Sequence, residues 1–304
     1  MKKNIFVFTD CDLDGAGSYL MFKWFINDNI PYKITRVNDF KSIFESWYAQ
    51  NHDKYDMIYI LDLDVSQECL ELVDKKNITI IDHHKTHVEN KHKYKNASTV
   101  IQEQSSCTKF LYSIFSKKYK KQLTDEQKLM VLYIDDYDCY ELKFPQSYNL
   151  NIIYWNYQGD RLEKFIKDFG KGFSGFTDYQ KNIILYNQNK LKSIKNKLDV
   201  HVANNISIGK NKYKMVSVFA DSYVNEVADH IIKNYKADIG FVINLKSKKV
   251  SLRKSNSCEL DLGKFAIKLF DAGGGHEYAA GGLLNEKFMQ FSKLFSPIKI
   301  KVGS

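Results

Sequence analysis

Proline is scarce in this sequence, with 3 residues in 304. So low a content argues against long disordered linkers, and 20 tyrosines with 20 phenylalanines indicate a chain that buries a core. No apolar run approaches the roughly 20 residues that a membrane-spanning helix needs. Met1-Lys2-Lys3 leads straight into a short strand rather than into the apolar region of a signal peptide. These absences predict a folded protein of the cytoplasm with no membrane partner.

Cysteine is also sparse. The five cysteines are widely spaced, and no two form a Cys-x-x-Cys pair, which excludes a zinc knuckle or a dithiol redox site of that kind. Cys11 and Cys139 lie beside clusters of aspartate, but no histidine in the sequence pattern is placed to activate either thiol as a nucleophile. All five are therefore interpreted as reduced thiols.

Charge is plentiful and unevenly distributed. Lysine and arginine number 45 against 36 aspartates and glutamates, a formal net charge of +9, which favours a polyanionic partner. Residues 182–214 carry seven lysines and a single acid, Asp199, whereas aspartates crowd the first half. An acidic pocket inside a basic protein suggests cations bound in the pocket and an anionic substrate drawn to them.

The pattern of apolar residues predicts an α/β protein with two domains. Strands and helices alternate from Asn4 to about Asp138, as expected of βαβ units and a parallel sheet. We expect a parallel-sheet domain at 1–176, a helical connector at 177–200 and a smaller α/β domain at 201–304. The expected strands are 4–8, 32–37, 57–61, 77–81, 98–101, 205–208, 213–219, 238–245 and 249–253. The expected helices are 15–27, 40–49, 66–75, 106–116, 125–134, 162–169, 178–198, 224–235 and 262–270.

Three apolar strands in the first half run into aspartate. Because the carboxyl ends of parallel strands meet at one edge of a sheet, we expect these side chains to lie close together. Carboxylates and imidazoles are ligands that suit Mn²⁺. The polar side chains at these strand ends are Asp10, Asp12, Asp14, Asp62, Asp64, Asp82, His83 and His84.

Five motifs, in order, resemble those of the DHH phosphoesterase superfamily, in particular members with a C-terminal DHHA1 domain. The resemblance covers nearly the whole chain. Its pieces are Asp10-Cys11-Asp12-Leu13-Asp14-Gly15-Ala16-Gly17-Ser18, Leu61-Asp62-Leu63-Asp64, Asp82-His83-His84, Ile134-Asp135-Asp136-Tyr137-Asp138, and Gly273-Gly274-Gly275-His276 with Ala279-Ala280-Gly281. Val250-Ser251-Leu252-Arg253 is also similar to the family.

The resemblance implies two Mn²⁺ ions, with Mg²⁺ as the alternative, in the N-terminal domain. Two metals roughly 3.5 to 4 Å apart lower the pKa of a shared water and compensate charge on phosphoryl oxygens. By resemblance Asp62 bridges both ions, Asp12 and Asp14 bind opposite ions, and His83 binds one. Asp82 then supports a histidine, and His84 contacts the substrate or orients the ligands.

Two positions leave the ligand set open. Phe8 stands where many members of the family carry a histidine, so either Asp10 completes the first metal site or that metal binds more weakly. The fourth motif offers Asp135 and Asp136 in succession. Asp135 is preferred because it directly follows the apolar run, and Asp136 is the alternative.

Plainer interpretations compete for several of these residues. Asp10 or Asp14 can cap the helix expected from Gly15, and Asp64 and Asp138 are interpreted as caps or as groups outside the ligand set. The histidines without a partner motif are interpreted as surface or core residues. They are His52, His87, His92, His201 and His230.

The C-terminal motifs imply where substrate binds. Arg253 offers a planar fork that matches phosphate oxygens, and the resemblance implies that the backbone of Gly273, Gly274 and Gly275, together with His276, approaches a phosphate. The function predicted is Mn²⁺-dependent hydrolysis of short oligonucleotides or nucleotide phosphodiesters by a two-metal mechanism. The alternatives are a single-strand exonuclease of the RecJ type, a cyclic-dinucleotide phosphodiesterase, and a nucleotide-binding protein with a degenerate metal site. A manganese pyrophosphatase would use the same chemistry, but the motif from Gly273 to His276 argues against it. In each nucleic-acid interpretation, the partner is a short nucleic acid or a nucleotide.

Overall fold

The structure is a computed structural model that describes residues 3–26, 29–103, 105–271, 273–275 and 277–292. The chain forms two compact units, Met1–Tyr186 and Asn187–Ser304. Both units combine helices with a sheet, so the α/β class predicted from the sequence is confirmed. No helix in the described ranges is both long and apolar enough to cross a membrane.

A parallel five-stranded sheet organises the first unit, in the order β2-β1-β3-β4-β5. Its strands are β1 (Ile5–Thr9), β2 (Tyr32–Ile34), β3 (Met57–Leu61), β4 (Ile78–Asp82) and β5 (Ser98–Ile101). Thr9 is paired with Leu61, and Leu61 with Ile81. The residues that follow β1 and β3, and the last residue of β4, therefore lie at the same edge of the sheet.

Helices cover both faces of this sheet. They are α1 (Leu13–Phe25), α2 (Val37–Asn51), α3 (Leu70–Val73), α4 (Lys85–Asn90), α5 (Cys107–Tyr119), α6 (Asp125–Asp138), α7 (Pro145–Asn156), α8 (Arg161–Phe169) and α9 (Asp178–Lys195). Successive side chains of β1 point to opposite faces of the sheet and pack in separate hydrophobic cores. Val7 packs with residues of α1 and α5, whereas Phe8 packs with Phe40 and Phe44 of α2. The aromatic ring of Phe8 is fully buried in that second core.

Four helices of the first unit differ markedly from expectation, and one of them, α4, was not predicted. α6 begins at the expected capping box of Thr124 and Gln127 but ends at Asp138, a full turn beyond the predicted end at residue 134. α7 was not predicted, although Pro145 occupies a helix-starting position that proline favours. The helix expected at 66–75 is reduced to the single turn of α3, because the side chain of Asp64 accepts hydrogen bonds from the backbone and hydroxyl of Ser66 and holds a turn.

A mixed sheet of six strands, in the order β10-β11-β9-β8-β7-β6, organises the second unit. Its elements are β6 (His201–Ile208), β7 (Asn211–Phe219), α10 (Val224–Tyr235), β8 (Ile239–Asn244), β9 (Lys249–Lys254), α11 (Leu262–Leu269), β10 (Gly274–Gly275), β11 (Ala279–Leu283) and α12 (Glu286–Ser292). β7 and β8 are parallel, and the other described pairs are antiparallel. β10, β11 and α12 were not predicted. Gly281 allows the pairing of β11 with β9, since a Cβ atom there would lie 2.5 Å from the carbonyl oxygen of Val250.

Candidate metal centre

Three carboxylates surround the imidazole of His83 at the carboxyl edge of the parallel sheet. His83 Nε2 lies 3.1 Å from Asp62 Oδ1, 3.5 Å from Asp138 Oδ2 and 3.7 Å from Asp14 Oδ2. Their potential ligand atoms form two overlapping sets, each within a span of 4.8 Å, that share His83. One set is Asp14, His83 and Asp138; the other is Asp62, Asp82, His83 and His84.

Two carboxylate oxygens in this group are buried without compensation. Asp62 Oδ1 and Asp138 Oδ2 have no hydrogen-bond partner among the described residues, and the approach of His83 to Asp62 lacks hydrogen-bond geometry. Burial, followed by the charges of Asp14 and Asp12, raises the pKa of both Asp62 and Asp138 well above the usual range. A divalent cation among these oxygens would relieve both the repulsion and the missing contacts, so the residues present fit a metal site.

Asp62 also has an unusual backbone conformation. Its φ angle is +56°, in the left-handed region, and its N–H donates to the carbonyl oxygen of Ile81 across the strand ends. Aspartate is one of the few residues other than glycine whose backbone adopts this region readily. The conformation places a carboxylate at the point where β3 ends.

Asp14 is anchored by the start of α5. Its Oδ2 accepts from the N–H of Cys107 at 2.6 Å, and its Oδ1 accepts from the N–H of Thr108 at 2.9 Å. The partial positive charge at a helix N-terminus stabilises an anion there. Each oxygen still has a lone pair that can bind a cation.

Asp12 is the residue that caps α1. Its Oδ1 accepts from the N–H of Gly15 at 2.9 Å, so the cap expected of Asp10 or Asp14 is supplied by Asp12. Burial and the neighbouring charge of Asp14 raise the pKa of Asp12. A carboxylate that caps with one oxygen keeps the other for a ligand.

Asp10 lies beside this group. Its Oδ1 accepts from the N–H of Cys11 at 2.6 Å, and burial together with the charge of Asp12 raises the pKa of Asp10 to about 7. Phe8 faces the core under α2 and takes no part in the acidic group.

The third motif contains a chain of hydrogen-bonded side chains centred on the buried pair Asp82 and His87. Asp82 Oδ1 lies 2.7 Å from His84 Nδ1, and Asp82 Oδ2 lies 2.5 Å from His87 Nδ1, whose Nε2 contacts the hydroxyl of Tyr94 at 2.8 Å. Burial alone would raise the pKa of Asp82, but the two imidazoles hold it far below the usual range. Burial likewise opposes protonation of His84, yet the charge and hydrogen bond of Asp82 outweigh it and raise the pKa of His84 to about 10.

His87 was interpreted from the sequence as a surface or core histidine. It is a core residue, fully buried, and its position three residues after His84 at the start of α4 is the spacing that could have linked it to the motif. Asp64 lies close by but is occupied by Ser66 and by the hydroxyl of Thr86.

The fourth motif reaches the centre through Asp138. The sequence favoured Asp135 or Asp136, but Asp135 accepts from the N–H of Ser106 at 3.0 Å and pairs with Lys109 Nζ at 2.7 Å. These contacts tie α6 to the start of α5. The extension of α6 by one turn carries Asp138, which had been interpreted as a cap or an outer group, to His83.

Asp136 organises the loop that leads into α7. Its two oxygens accept from the N–H groups of Lys143 at 2.9 Å and Phe144 at 3.2 Å. Hydrogen bonds from these amides and from Ser147 hold the pKa of Asp136 below its usual value against the opposing effect of burial. The carboxylate of Asp136 therefore stabilises the loop before α7 through these backbone amides.

Residues 4–134 match the sequence profile described as DHH family, N-terminal domain. This match assigns residues 4–134 to the DHH family as its N-terminal domain. The resemblance identified from the motifs is thereby confirmed, and the match supports a phosphoesterase or nuclease role. No curated protein matches the sequence at a significant level.

Solved structures share the fold of this chain at low identity. A pGpG-specific phosphodiesterase, PggH, from Vibrio cholerae is 14% identical over 96% of each chain, with a TM-score of 0.57. Exonuclease RecJ bound to manganese is 14% identical, covering 96% of this chain and 88% of the other, with a TM-score of 0.56. The DHH domain of a member of a ribosomal protein family is 14% identical, covering 92% and 82%, with a TM-score of 0.62. These likenesses concern the fold.

The predicted phosphate-binding residues lie in the second unit of the chain. Arg253 on β9 donates from Nη1 to the carbonyl oxygen of Leu252 at 2.9 Å and from Nη2 to Asn225 Oδ1 at 2.5 Å. It is paired in register with Ala279, at the end of the glycine-rich segment. His276 lies outside the described residues.

The glycines of that segment are required for close backbone approach. Gly275 has a φ angle of +134°, and a Cβ atom on it would lie 2.6 Å from the carbonyl oxygen of Ala279. Gly273 is similarly close to the carbonyl oxygen of Ala266, at 2.2 Å. Larger residues at these two positions would force the segment away from α11 and β11.

Proposed function

We propose that this protein is a Mn²⁺-dependent phosphodiesterase that hydrolyses short oligonucleotides or nucleotide phosphodiesters, with Mg²⁺ as the alternative ion. The observation that supports this most is the buried group of Asp14, Asp62 and Asp138 around His83. Within the described residues, two oxygens of that group lack hydrogen-bond partners. Uncompensated buried carboxylates are costly unless a cation completes them.

The proposed ligand set differs from the sequence-based one at the fourth motif. Asp138 takes the place of Asp135 and Asp136, because it contacts His83 while the other two carboxylates are held elsewhere. Asp62 belongs to one of the two overlapping sets and lies 3.1 Å from His83, the residue that both sets share; we propose that it serves both ions. The remaining proposed ligands are Asp10, Asp12, Asp14 and His83.

The metal pair would supply an acidified water and screen negative charge on the phosphoryl oxygens. The chain's own contribution is positioning. The side chain of His84 is 30% exposed and is held through Nδ1 by Asp82, so its other nitrogen can reach an oxygen of a bound phosphodiester. An imidazolium in that position donates a charge-assisted hydrogen bond.

The second unit is proposed to bind substrate. Arg253 and the segment Gly273, Gly274 and Gly275 are neighbours in one sheet through the pairing of β9 with β11, which supports a shared role in holding phosphate. His276 belongs to the proposal by its motif alone. The division between the units falls inside α9, which supports the proposal that this helix connects two domains.

The experiment is hydrolysis of a substrate panel in Mn²⁺, in Mg²⁺ and in excess chelator. The panel contains a linear dinucleotide, a cyclic dinucleotide, pyrophosphate, and longer single strands of RNA and DNA. We expect Mn²⁺-dependent release of mononucleotides from the short substrates, and no turnover by Asp62→Asn. Full activity in chelator would refute the metal-dependent proposal. Binding of nucleotides without turnover of any diester would favour the alternative of a nucleotide-binding protein.

A further inference from the structure

A cavity of about 420 Å³ lies beside the first motif within the first unit. Its walls include Cys11, Lys33, Asp160 and Arg161. The volume is in the range of pockets that hold small ligands. Cys11 stands between two of the proposed ligand aspartates in the sequence, so the cavity borders the candidate metal centre.

Arg161 enters this wall with an unsatisfied donor. Its guanidinium lies 4.3 Å from the ring centroid of Trp155 and 5.5 Å from that of Tyr154, and its Nε is buried without a hydrogen-bond partner in the part of the chain that the structure describes. An arginine stacked on aromatic rings keeps its in-plane N–H groups for an acceptor such as phosphate. Buried donors are rarely left unpaired, which points to a ligand that supplies the acceptor.

The aromatic support of Arg161 is tied to the first motif. The hydroxyl of Tyr154, which is fully buried, donates to the carbonyl oxygen of Cys11 at 3.0 Å. Trp155, the next residue on α7, is 42% exposed. The guanidinium of Arg161 therefore lies against the buried ring of Tyr154 and the exposed ring of Trp155. Nucleic-acid bases stack readily on aromatic and guanidinium planes.

The charges around the cavity favour an anion. Only three of the 45 basic residues are arginines, and one of these, Arg161, lines this cavity together with Lys33. Lys33 makes no ion pair with a described residue. The opposing acid, Asp160, uses its Oδ1 to cap α8 by accepting from the N–H of Glu163 at 3.0 Å.

We propose that this cavity is a nucleotide subsite in which Arg161 Nε and Lys33 bind a phosphate and Trp155 stacks the attached base. In the context of the proposed function, on which this role rests, the subsite holds the nucleotide next to the one whose phosphate reacts. The ligand class is a nucleoside monophosphate unit, either free or within a short strand.

The test measures the binding of AMP in excess chelator, both by tryptophan fluorescence and by calorimetry. Trp155 is the most exposed of the three tryptophans, so a stacked base quenches its emission. We expect saturable quenching in the wild type, no quenching in Trp155→Phe, and a Kd at least about tenfold higher in Arg161→Gln, since a charge-assisted hydrogen bond is worth roughly 1.5 to 3 kcal/mol. Lys171→Gln, an exposed charge away from the cavity, is the matched control and should bind as the wild type does.

Further arms separate the parts of the ligand and guard against misfolding. Adenosine and inorganic phosphate should each bind more weakly than AMP, and Arg161→Lys, which keeps the charge but loses the fork, should also raise Kd. Melting temperatures in chelator check that each variant is folded. Absence of saturable AMP binding in the wild type, unchanged affinity in both Arg161 variants, or equal affinity for adenosine and AMP would overturn the subsite.

The failure of this subsite and the failure of the proposed function give different results. AMP binding without metal, combined with no Mn²⁺-dependent hydrolysis, would retain the subsite and reject the phosphodiesterase. If hydrolysis is found, Arg161→Gln should raise KM for a dinucleotide about tenfold while leaving kcat and Mn²⁺ affinity unchanged. An unchanged KM would reject the subsite alone.

Discussion

His87 Nδ1 lies 2.5 Å from Oδ2 of Asp82, and both side chains are completely buried. The second oxygen of Asp82 contacts His84. His87, which belongs to none of the motifs, therefore fixes the carboxylate of Asp82. Asp82 in turn orients the imidazole of His84. His87 therefore acts as a positioning residue. The described partner within hydrogen-bond distance of its Nδ1 is Asp82, and His87 reaches the centre through that carboxylate.

Replacing His87 should destabilise the fold more than it alters metal affinity directly. His87→Ala removes one partner of a buried carboxylate and leaves a void, so we expect a loss of about 3 to 5 kcal/mol in the free energy of unfolding. Urea unfolding in chelator measures this. His92→Ala, at an exposed position in the same segment, should change stability by less than about 0.5 kcal/mol. Equal effects of the two changes would contradict the role given to His87.

Asp138 and Asp135 should respond differently to the same substitution. Asp138→Asn removes a carboxylate that faces His83, so Mn²⁺ affinity should fall at least about tenfold and hydrolysis about a hundredfold. Asp135→Asn weakens the contacts with Lys109 and Ser106, so it should lower stability by about 1 to 3 kcal/mol and leave Mn²⁺ affinity close to that of the wild type. Calorimetric titration with Mn²⁺ separates the two. The reverse pattern would return the fourth-motif ligand to Asp135.

Metal binding should be visible as thermal stabilisation. At a concentration of Mn²⁺ one hundred times Kd, binding to the folded state adds about 2.7 kcal/mol, which corresponds to a rise in Tm of roughly 5 to 10 °C for a domain of this size. The shift should disappear when chelator is added. A wild-type Tm that is insensitive to Mn²⁺ would count against the buried carboxylates as a metal site.

Asp62→Asn should stabilise the protein without metal while it abolishes turnover. The change removes a charge from a buried, mutually repelling group, and asparagine tolerates the left-handed backbone at this position. In chelator we expect a Tm about 2 to 4 °C above that of the wild type, and no further rise with Mn²⁺. Asp64→Asn is the matched comparison and should lower Tm, because Asp64 holds Ser66 and Thr86. Retained hydrolysis in Asp62→Asn would show that the bridging position has been assigned to the wrong carboxylate.

The parallel sheet of the first unit was predictable because its three central strands, β1, β3 and β4, are short apolar runs of β-branched and aromatic residues, each followed by or ending in aspartate. Topology then brings Asp62 and His83 together, since parallel neighbours end at one edge. Asp138 was not predictable in this way. The apolar run of α6 ends at Ile134, so the sequence pattern does not indicate that the helix continues to Asp138. The contacts of Asp135 with α5 and of Asp136 with the loop to α7 hold these two carboxylates away from the centre, which leaves Asp138.

Other misses have physical causes of the same kind. α7 begins with the polar run Pro145-Gln146-Ser147, and its buried side chains, such as Leu150 and Tyr154, are recognisable only once α6 and α8 pack beside it. The strands β10 and β11 consist largely of glycine and alanine, which carry little strand propensity, and they form because β9 offers an edge at close range.

The grip of α5 on Asp14 sets an order of events during translation. The carboxylate accepts hydrogen bonds from amides that lie 93 and 94 residues further along the chain, so a nascent polypeptide that has emerged only as far as His84 has the first three motifs but no support for Asp14. Residues through Asp138 must leave the ribosome before the acidic group is complete. With the proposed ligand set, metal loading therefore follows the docking of α5 and α6.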